Sequence, residues 1–291
     1  MEEEDKTLYF NDSLAVEDEA SQKALTVTST SSVQPVALLR LGIFVPNSRN
    51  VKKGTVQIVD VSSTFSSLSF ARSEGYDDIH IRGERLNITT DFGVWMGTIA
   101  AFSKYGLTTN KITLPFKEFA YLCQYESRQI NHRLRERIFE SLSKLGTKVV
   151  QFKRKNGEKK FFTQLLKTAE MDIKGDTVTL EADEKLWELY KMDYTILLRK
   201  QPYNELKGKE VAQTLYAYIA SLPDKPAPIT FTRIRDRLML TSPNYEQNRL
   251  IKAALVELGK IGYIEYSVVK KGNENVLFIH ARHKKLKPLP E

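Results

Sequence analysis

The stretch from Ser242 to Gly262, SPNYEQNRLIKAALVELGKIG, constrains the fold more than any other part of the chain. Ser242 can cap a helix, and Pro243 suits its first turn, where a missing N–H leaves nothing unpaired. Ile251, Ala254, Leu255, Leu258 and Ile261 then recur at helical spacing and make one face apolar. The opposite face carries Tyr245, Asn248, Arg249 and Lys252, a set that can hydrogen-bond base edges and phosphates in a major groove. Gly262 suits the helix end. The following YIEYSVVKKGNENVLFIHAR reads as two strands around a basic, glycine-containing turn. Helix then hairpin is the outline of a winged helix-turn-helix domain, although a lone basic amphipathic helix is usually just solvated.

The first half of the chain carries the same order. DFGVWMGTIAAFSKYG (91–106) is expected to be a helix capped by Asp91 and ended by Gly106, with Phe92, Trp95, Ile99 and Phe102 as its buried stripe. KITLPFKEFAYLC supplies a strand and a short helix. ESRQINHRLRERIFESLSKLG (126–146) is expected to be one longer helix, apolar at Ile130, Leu134, Ile138, Leu142 and Leu145. Its outer face holds Arg128, Gln129, His132 and Arg133. The hairpin VVQFKRKNGEKKFFT follows, with Lys153, Arg154, Lys155, Lys159 and Lys160 around its turn. In the second half, NELKGKEVAQTLYAYIASL (204–222) is a helix, ITFTRIRDRLML (229–240) matches ITLPFKEFAYLC (112–123), and KKGNEN (270–275) matches KNGEKK (155–160). A near-constant offset of 115 to 117 residues argues for an internal duplication. The expected fold class is α+β, with two tandem winged-helix domains and a disordered acidic N-terminus.

Composition sets the limits around that plan. Residues 1–32 are acidic, then rich in Ser and Thr, and are expected to be a disordered tail. Residues 33–198 form the expected N-terminal domain, including a β-rich stretch with IHIRGERLNIT (79–89) at period two and a linker element EKLWELYKMDYTILL (184–198). Residues 199–291 form the expected C-terminal domain, the main DNA reader, ending in a basic tail with Lys284, Lys285 and Lys287. Eight acids against Lys6 and Lys23 give residues 1–30 a charge of −6, which leaves +14 of the overall +8 on residues 31–291. So basic a body suits a polyanionic partner. No run approaches the roughly 18 apolar residues of a membrane span, and the acidic start is the reverse of a signal peptide. The single cysteine, Cys123, fits a reducing cytoplasm and, at the apolar end of a helix, reads as packing.

Catalytic chemistry finds little support. No GxxxxGK[ST] loop is present. His80, His132, His280 and His283 are scattered, and an Ala-Arg pair separates the last two where a metal-dependent nickase would have one apolar residue. Neither metal nor cofactor is expected, and the protein reads as a binder, not an enzyme. A rolling-circle nickase acting through a tyrosine is the enzymatic alternative. A transcriptional repressor with the same fold is the other.

VQPVALLRLGIFVP (33–46), EKLWELYKMDYTILL, EVAQTLYAYIASLPDKPAPITFTRIRDRL and QNRLIKAALVELGKIGYIEY resemble, in order, the RepA-type replication initiators of low-copy prophage plasmids. The likeness runs from about residue 30 to the closing LKPLPE, and a more distant one extends to iteron-binding initiators at large. It implies binding to directly repeated origin DNA (iterons) as a monomer, opening of the duplex, and recruitment of the host initiator DnaA and the helicase machinery. It also implies an inactive homodimer activated by DnaJ/DnaK-type chaperones, repression of the protein's own promoter, and copy-number control.

On this reading Tyr245, Asn248, Arg249 and Lys252 contact bases or phosphates. Arg249 is the foremost of them, because it lies furthest from the apolar stripe. Arg233 and Arg237 on the preceding helix touch phosphate or pair with Asp236. Arg128, Gln129, His132 and Arg133 are the parallel set in the first domain. Lys153 to Lys160 and Lys270 with Lys271 form wings that hold phosphates irrespective of sequence. Val36, Leu38, Leu41, Ile43 and Val45 fit either a core strand or an exposed dimer edge, and core is the preferred reading.

Overall fold

Period-two and helical patterns assemble here into two units, each built on its own apolar core. The computed structural model describes residues 31–35, 39, 42–48, 51, 54–62, 71, 75–105, 110–183, 195–283 and 286. Expectations for residues 1–30 and 184–194, for Gly106, and for Lys284, Lys285 and Lys287 lie outside these. One unit comprises the described residues within 1–37, 53–86 and 90–197, and the other those within 38–52, 87–89 and 198–291. The described residues of 38–52, with 87–89, which sequence order places in the N-terminal domain, are therefore part of the second unit.

The strands β1 (Ser31–Pro35), β2 (Phe44–Val45), β3 (Val56–Asp60), β4 (Asp78–Glu84) and β5 (Leu86–Asn87) precede the first helix. That helix, α1 (Asp91–Tyr105), buries Phe92, Trp95, Ile99 and Phe102 as the sequence predicts. Burial extends all round its first three turns, as expected of a helix apolar on every side. A Cβ at Gly97 would lie 2.3 Å from Cys123 Sγ, so the glycine lets the helix meet that buried thiol. Asp91 is the first helical residue, not a cap beyond it. Its buried carboxylate accepts from Ser141 Oγ (2.6 Å) and lies 3.6 Å from Lys144 Nζ.

β6 (Lys111–Pro115), α2 (Phe116–Leu122), α3 (His132–Gly146), β9 (Thr168–Asp172) and β10 (Thr177–Glu181) complete a winged helix, with β10 between β6 and β9. Between α3 and β9 the chain inserts a hairpin, β7 (Val149–Lys153) and β8 (Lys160–Gln164). This hairpin extends a separate four-stranded antiparallel sheet in the order β3-β4-β7-β8. Ile79, Ile81, Val150 and Phe152 fill its buried face.

The second unit repeats the winged helix with α5 (Glu210–Ala220), β12 (Ile229–Thr230), α6 (Phe231–Leu238), α7 (Asn244–Lys260), β13 (Ile264–Lys271) and β14 (Glu274–Arg282). β14 lies between β12 and β13, as β10 does between β6 and β9. β11 (Thr195–Arg199), paired with β1, and α4 (Lys200–Glu205) lead into it. Ile43, Phe44 and Val45 are buried here, so the core reading holds for Ile43 and Val45; Val36, Leu38 and Leu41 lie outside the described residues. Asn47 and Asn87 both donate side-chain N–H to Glu210 (3.2 and 2.8 Å), Thr89 donates its hydroxyl to Gln213 (2.8 Å), and Tyr203 donates to the Ile88 carbonyl (2.6 Å).

Burial registers the two copies against each other. Leu134, Ile138, Ser141, Leu142 and Leu145 of α3 are buried, and so are Gln247, Ile251, Ala254, Leu255 and Leu258 of α7, each 113 residues further on. Phe116 and Phe119 of α2 with Cys123 correspond likewise to Phe231, Ile234 and Leu238 of α6, 115 residues on.

Candidate nucleic-acid interface

Helix α7 projects its polar face as the sequence expects. Tyr245 is 76% exposed, Arg249 and Lys252 are exposed, and Asn248 is half-buried beside them. The segment before the helix is fixed by Gln247, whose buried amide nitrogen donates to the carbonyls of Leu240 (3.2 Å) and Ser242. Arg249 is held one turn back on its own helix, where Nε and Nη2 donate to the two oxygens of Glu246 (2.9 and 2.6 Å). These bonds keep the Glu246 carboxyl below the usual glutamate range, and Glu246 in turn raises the guanidinium.

Beside α7, the β13–β14 hairpin presents Lys270 opposite Asn275 and Lys271 opposite Glu274. The Lys271 ammonium sits 5.3 Å from the centre of the Phe278 ring. An open groove between helix and hairpin is lined by Lys252, Leu255 and Val256 of α7 and by Tyr266, Val268 and Lys270 of β13. Arg233 is exposed and Arg237 half-buried on α6, and among the described residues neither pairs with Asp236. His280 and His283 sit on and just after β14, against Ser267 (2.9 Å) and Glu265 (2.8 Å).

The first unit differs from expectation in two places. Residues 126–146 are not one helix: a 3₁₀ turn, Ser127–Gln129, comes first, and α3 starts at His132 after Asn131, whose side chain caps it by accepting from the Leu134 N–H (3.0 Å). Arg128 therefore lies off the helix, paired with Glu126 (2.6 Å), and Gln129 accepts from the Glu126 N–H (2.8 Å) in a capping box. By buried register the counterparts of Tyr245, Asn248, Arg249 and Lys252 are His132, Arg135, Glu136 and Phe139. His132 lies 3.7 Å from Glu136, Arg133 is exposed, and Arg135 packs on Phe116 (4.0 Å) with Nη2 on Asp176 (2.5 Å). On this face Glu136 stands where α7 has Arg249, and Arg133 stands where α7 has Glu246.

The second correction concerns the wing. The topological counterpart of β13–β14 is β9–β10, whose tip carries Asp172, Lys174 and Asp176, and not the β7–β8 hairpin. Lys153, Arg154, Lys155, Lys159 and Lys160 thus stand on the inserted sheet, where Arg154 faces Glu158 (4.0 Å) and Lys155 faces Asp77 (3.9 Å). KNGEKK and KKGNEN are alike as basic glycine turns, but they belong to different sheets.

Sequence reasoning misses Arg235, since an arginine inside an amphipathic helix looks solvated. It is largely buried, with Nη1 on Asn248 Oδ1 (2.7 Å) and Nη2 on Thr232 Oγ1 (2.5 Å).

A winged helix repeated twice along one chain, the second copy with exposed Arg249 and Lys252 beside its wing, defines a tandem winged-helix protein. Residues 94–220 match the family model described as "Initiator Replication protein, WH1". The chain is 47% identical over 284 residues to Replication protein RepA of Escherichia coli, covering 97% of this chain and 99% of that one. A second RepA protein of Escherichia coli is 46% identical over 285 residues, covering 98% and 99%. The chain belongs to the RepA family of replication proteins. In fold it is similar to domains 2 and 3 of RctB (TM-score 0.53, 12% identity, 84% of this chain and 98% of that one). No helix among the described residues is long and apolar enough to cross a membrane.

Proposed function

We propose that the protein initiates plasmid replication by binding directly repeated origin DNA as a monomer, reading base edges with α7 and gripping phosphates with the β13–β14 wing. The observation that carries this reading is the row Tyr245, Asn248, Arg249 and Lys252 on one exposed helix face, beside Lys270 and Lys271. Arginine and asparagine there supply base-edge hydrogen bonds, and the lysines supply sequence-independent attraction. Arg233 and Arg237 on α6 add phosphate contacts. The first unit contributes through Arg128, Gln129, His132 and Arg133 and through the basic β7–β8 hairpin, but Glu136 in the place of Arg249 makes α3 the weaker reader. In keeping with the family, an inactive homodimer, release by DnaJ/DnaK-type chaperones, recruitment of DnaA and the helicase, and repression of its own promoter complete the proposed cycle. Phosphoryl chemistry is left to those host proteins.

The test is binding to directly repeated DNA from the replicon's own origin against random duplex, across a salt series, with the mass of each complex measured. A preference on the order of a thousandfold with one monomer per repeat is expected. Binding only as a dimer at a single palindrome would instead make the protein a repressor.

The two basic hairpins separate in the same salt series. Changing both Lys270 and Lys271 to Gln is expected to weaken binding to every sequence and to flatten the log–log salt slope by about 0.9 for each phosphate no longer neutralised. Lys155→Gln with Lys159→Gln tests the inserted hairpin the same way, and an unchanged slope would remove it from the interface.

A further inference from the structure

Asn248 does not stand free on the reading helix. Its Oδ1 accepts from Arg235 Nη1 (2.7 Å), across from α6 to α7. Arg235 is itself held at both ends of its fork. Nη2 donates to Thr232 Oγ1 (2.5 Å), and the guanidinium lies 4.0 Å from Glu274 at the start of wing strand β14. Thr232 closes the circuit, donating its hydroxyl to Glu274 Oε2 (2.6 Å) and its N–H to Oε1 (3.1 Å). All four bonds can coexist, since one hydroxyl can donate once while accepting from the arginine. Only 14% of the Arg235 side chain is exposed.

We infer that Arg235 is a positioning residue that fixes the Asn248 carboxamide with its oxygen turned inward, so that the reading face offers two N–H donors and no acceptor at that point. The inference rests on α7 being the base-contacting helix. A free asparagine takes adenine bidentately, donating to N7 while accepting from the N6 amino group. With Oδ1 turned inward onto Arg235, the oxygen does not face the groove, and that pairing is closed off by orientation. The remaining donors match acceptor-only edges, guanine O6 and N7 or thymine O4. Because Arg235 also faces Glu274, the same side chain ties the orientation of Asn248 to the wing. The device belongs to the second unit alone. In the first unit Ala120 occupies the position of Arg235, and Arg135, the counterpart of Asn248, is paired to its own wing through Asp176.

The experiment is enrichment of one-repeat duplexes, randomised at each base in turn, by the full-length protein and by Asn248→Ala, Arg235→Lys and Thr232→Val. Wild type is expected to select guanine or thymine at one position, and Asn248→Ala to lose selection there. Arg235→Lys keeps the charge but cannot span both partners. It is expected to lose about five- to tenfold in specific affinity, the scale of one hydrogen bond, while random-duplex affinity and salt slope stay at wild-type values. Its selection at the Asn248 position should broaden to admit adenine, which a role in folding alone would not produce. Thr232→Val should broaden the same position, and combining Arg235→Lys with Asn248→Ala should add nothing to Asn248→Ala. Selection unchanged in both Arg235→Lys and Thr232→Val, with Asn248→Ala altered, would overturn the inference and leave the reading helix standing. Selection unchanged in Asn248→Ala would overturn both.

Discussion

Arg249→Ala is expected to lower affinity for the specific repeat about ten- to a hundredfold, the 1–3 kcal/mol of a bidentate guanine pair, while binding to random duplex falls far less. The protein holds the Arg249 fork on Glu246, so on the proposed reading a base has to displace that carboxylate. Magnitude decides which partner wins. An exposed pair three residues apart on a helix is weak and screened by salt, weaker than the bidentate base contact it would yield to. Glu246→Gln should therefore weaken binding little or improve it, chiefly on random sequence, by removing a negative charge from the interface. The specific-to-random ratio at fixed salt is the readout. A ratio unchanged by Arg249→Ala would remove this arginine from base reading.

The second large effect concerns residues far from α7 in sequence. A fragment of residues 199–291 alone is expected not to unfold cooperatively, although it contains every helix and wing strand of the second winged helix. Ile43, Phe44 and Val45 are buried in that unit at 2%, 4% and 1% exposure. Each such side chain contributes about 1.5–3 kcal/mol by burial. Three of them together rival the roughly 5–15 kcal/mol that a whole domain has in hand. The fragment would also leave Glu210 without Asn47 and Asn87, and Gln213 without Thr89. Gly42 belongs to the same seam: its φ is +64°, and a Cβ there would meet the Arg237 carbonyl oxygen at 2.3 Å. In the full chain, Phe44→Ala should cost about 3–5 kcal/mol in the second unit. Denaturation followed by circular dichroism separates the outcomes. A sharp transition for 199–291 at wild-type midpoint would show that the 42–48 segment is dispensable.

How far the sequence can be read depends on the range of the interactions involved. The apolar stripe of α7, the stripe of α1 and the strand–helix units at 111–122 and 229–238 are local patterns, and each falls where its spacing places it. The start of α3 is harder to place because two start signals lie close together. Glu126 with Gln129 reads as a capping box and Asn131 as a cap, and the chain uses both in turn, with the 3₁₀ piece between them. The wing of the first unit escapes sequence reading for a non-local reason. Two basic glycine turns look alike in sequence, and only strand pairing shows that β7 joins β4 while β10 joins β6. Burial repeats at 113 and 115 residues along the helices, so the helical part of the duplication is legible while the inserted hairpin conceals the true wing. Arg235 is beyond reach for the same reason, since Asn248 is 13 residues away and Glu274 is 39. Membership of residues 42–48 in the second unit depends on partners about 160 to 190 residues distant.

The most direct test of α7 as the reading helix is guanine N7 methylation interference on a single origin repeat, comparing wild type with Arg249→Ala. If Arg249 reads a guanine in the major groove, methylating that N7 blocks wild-type binding but adds nothing against Arg249→Ala, which has no side chain left to reach it. The interference pattern then differs between the two proteins at one base. Identical patterns for both would contradict base reading by α7 and place the base-reading side chains elsewhere on the protein.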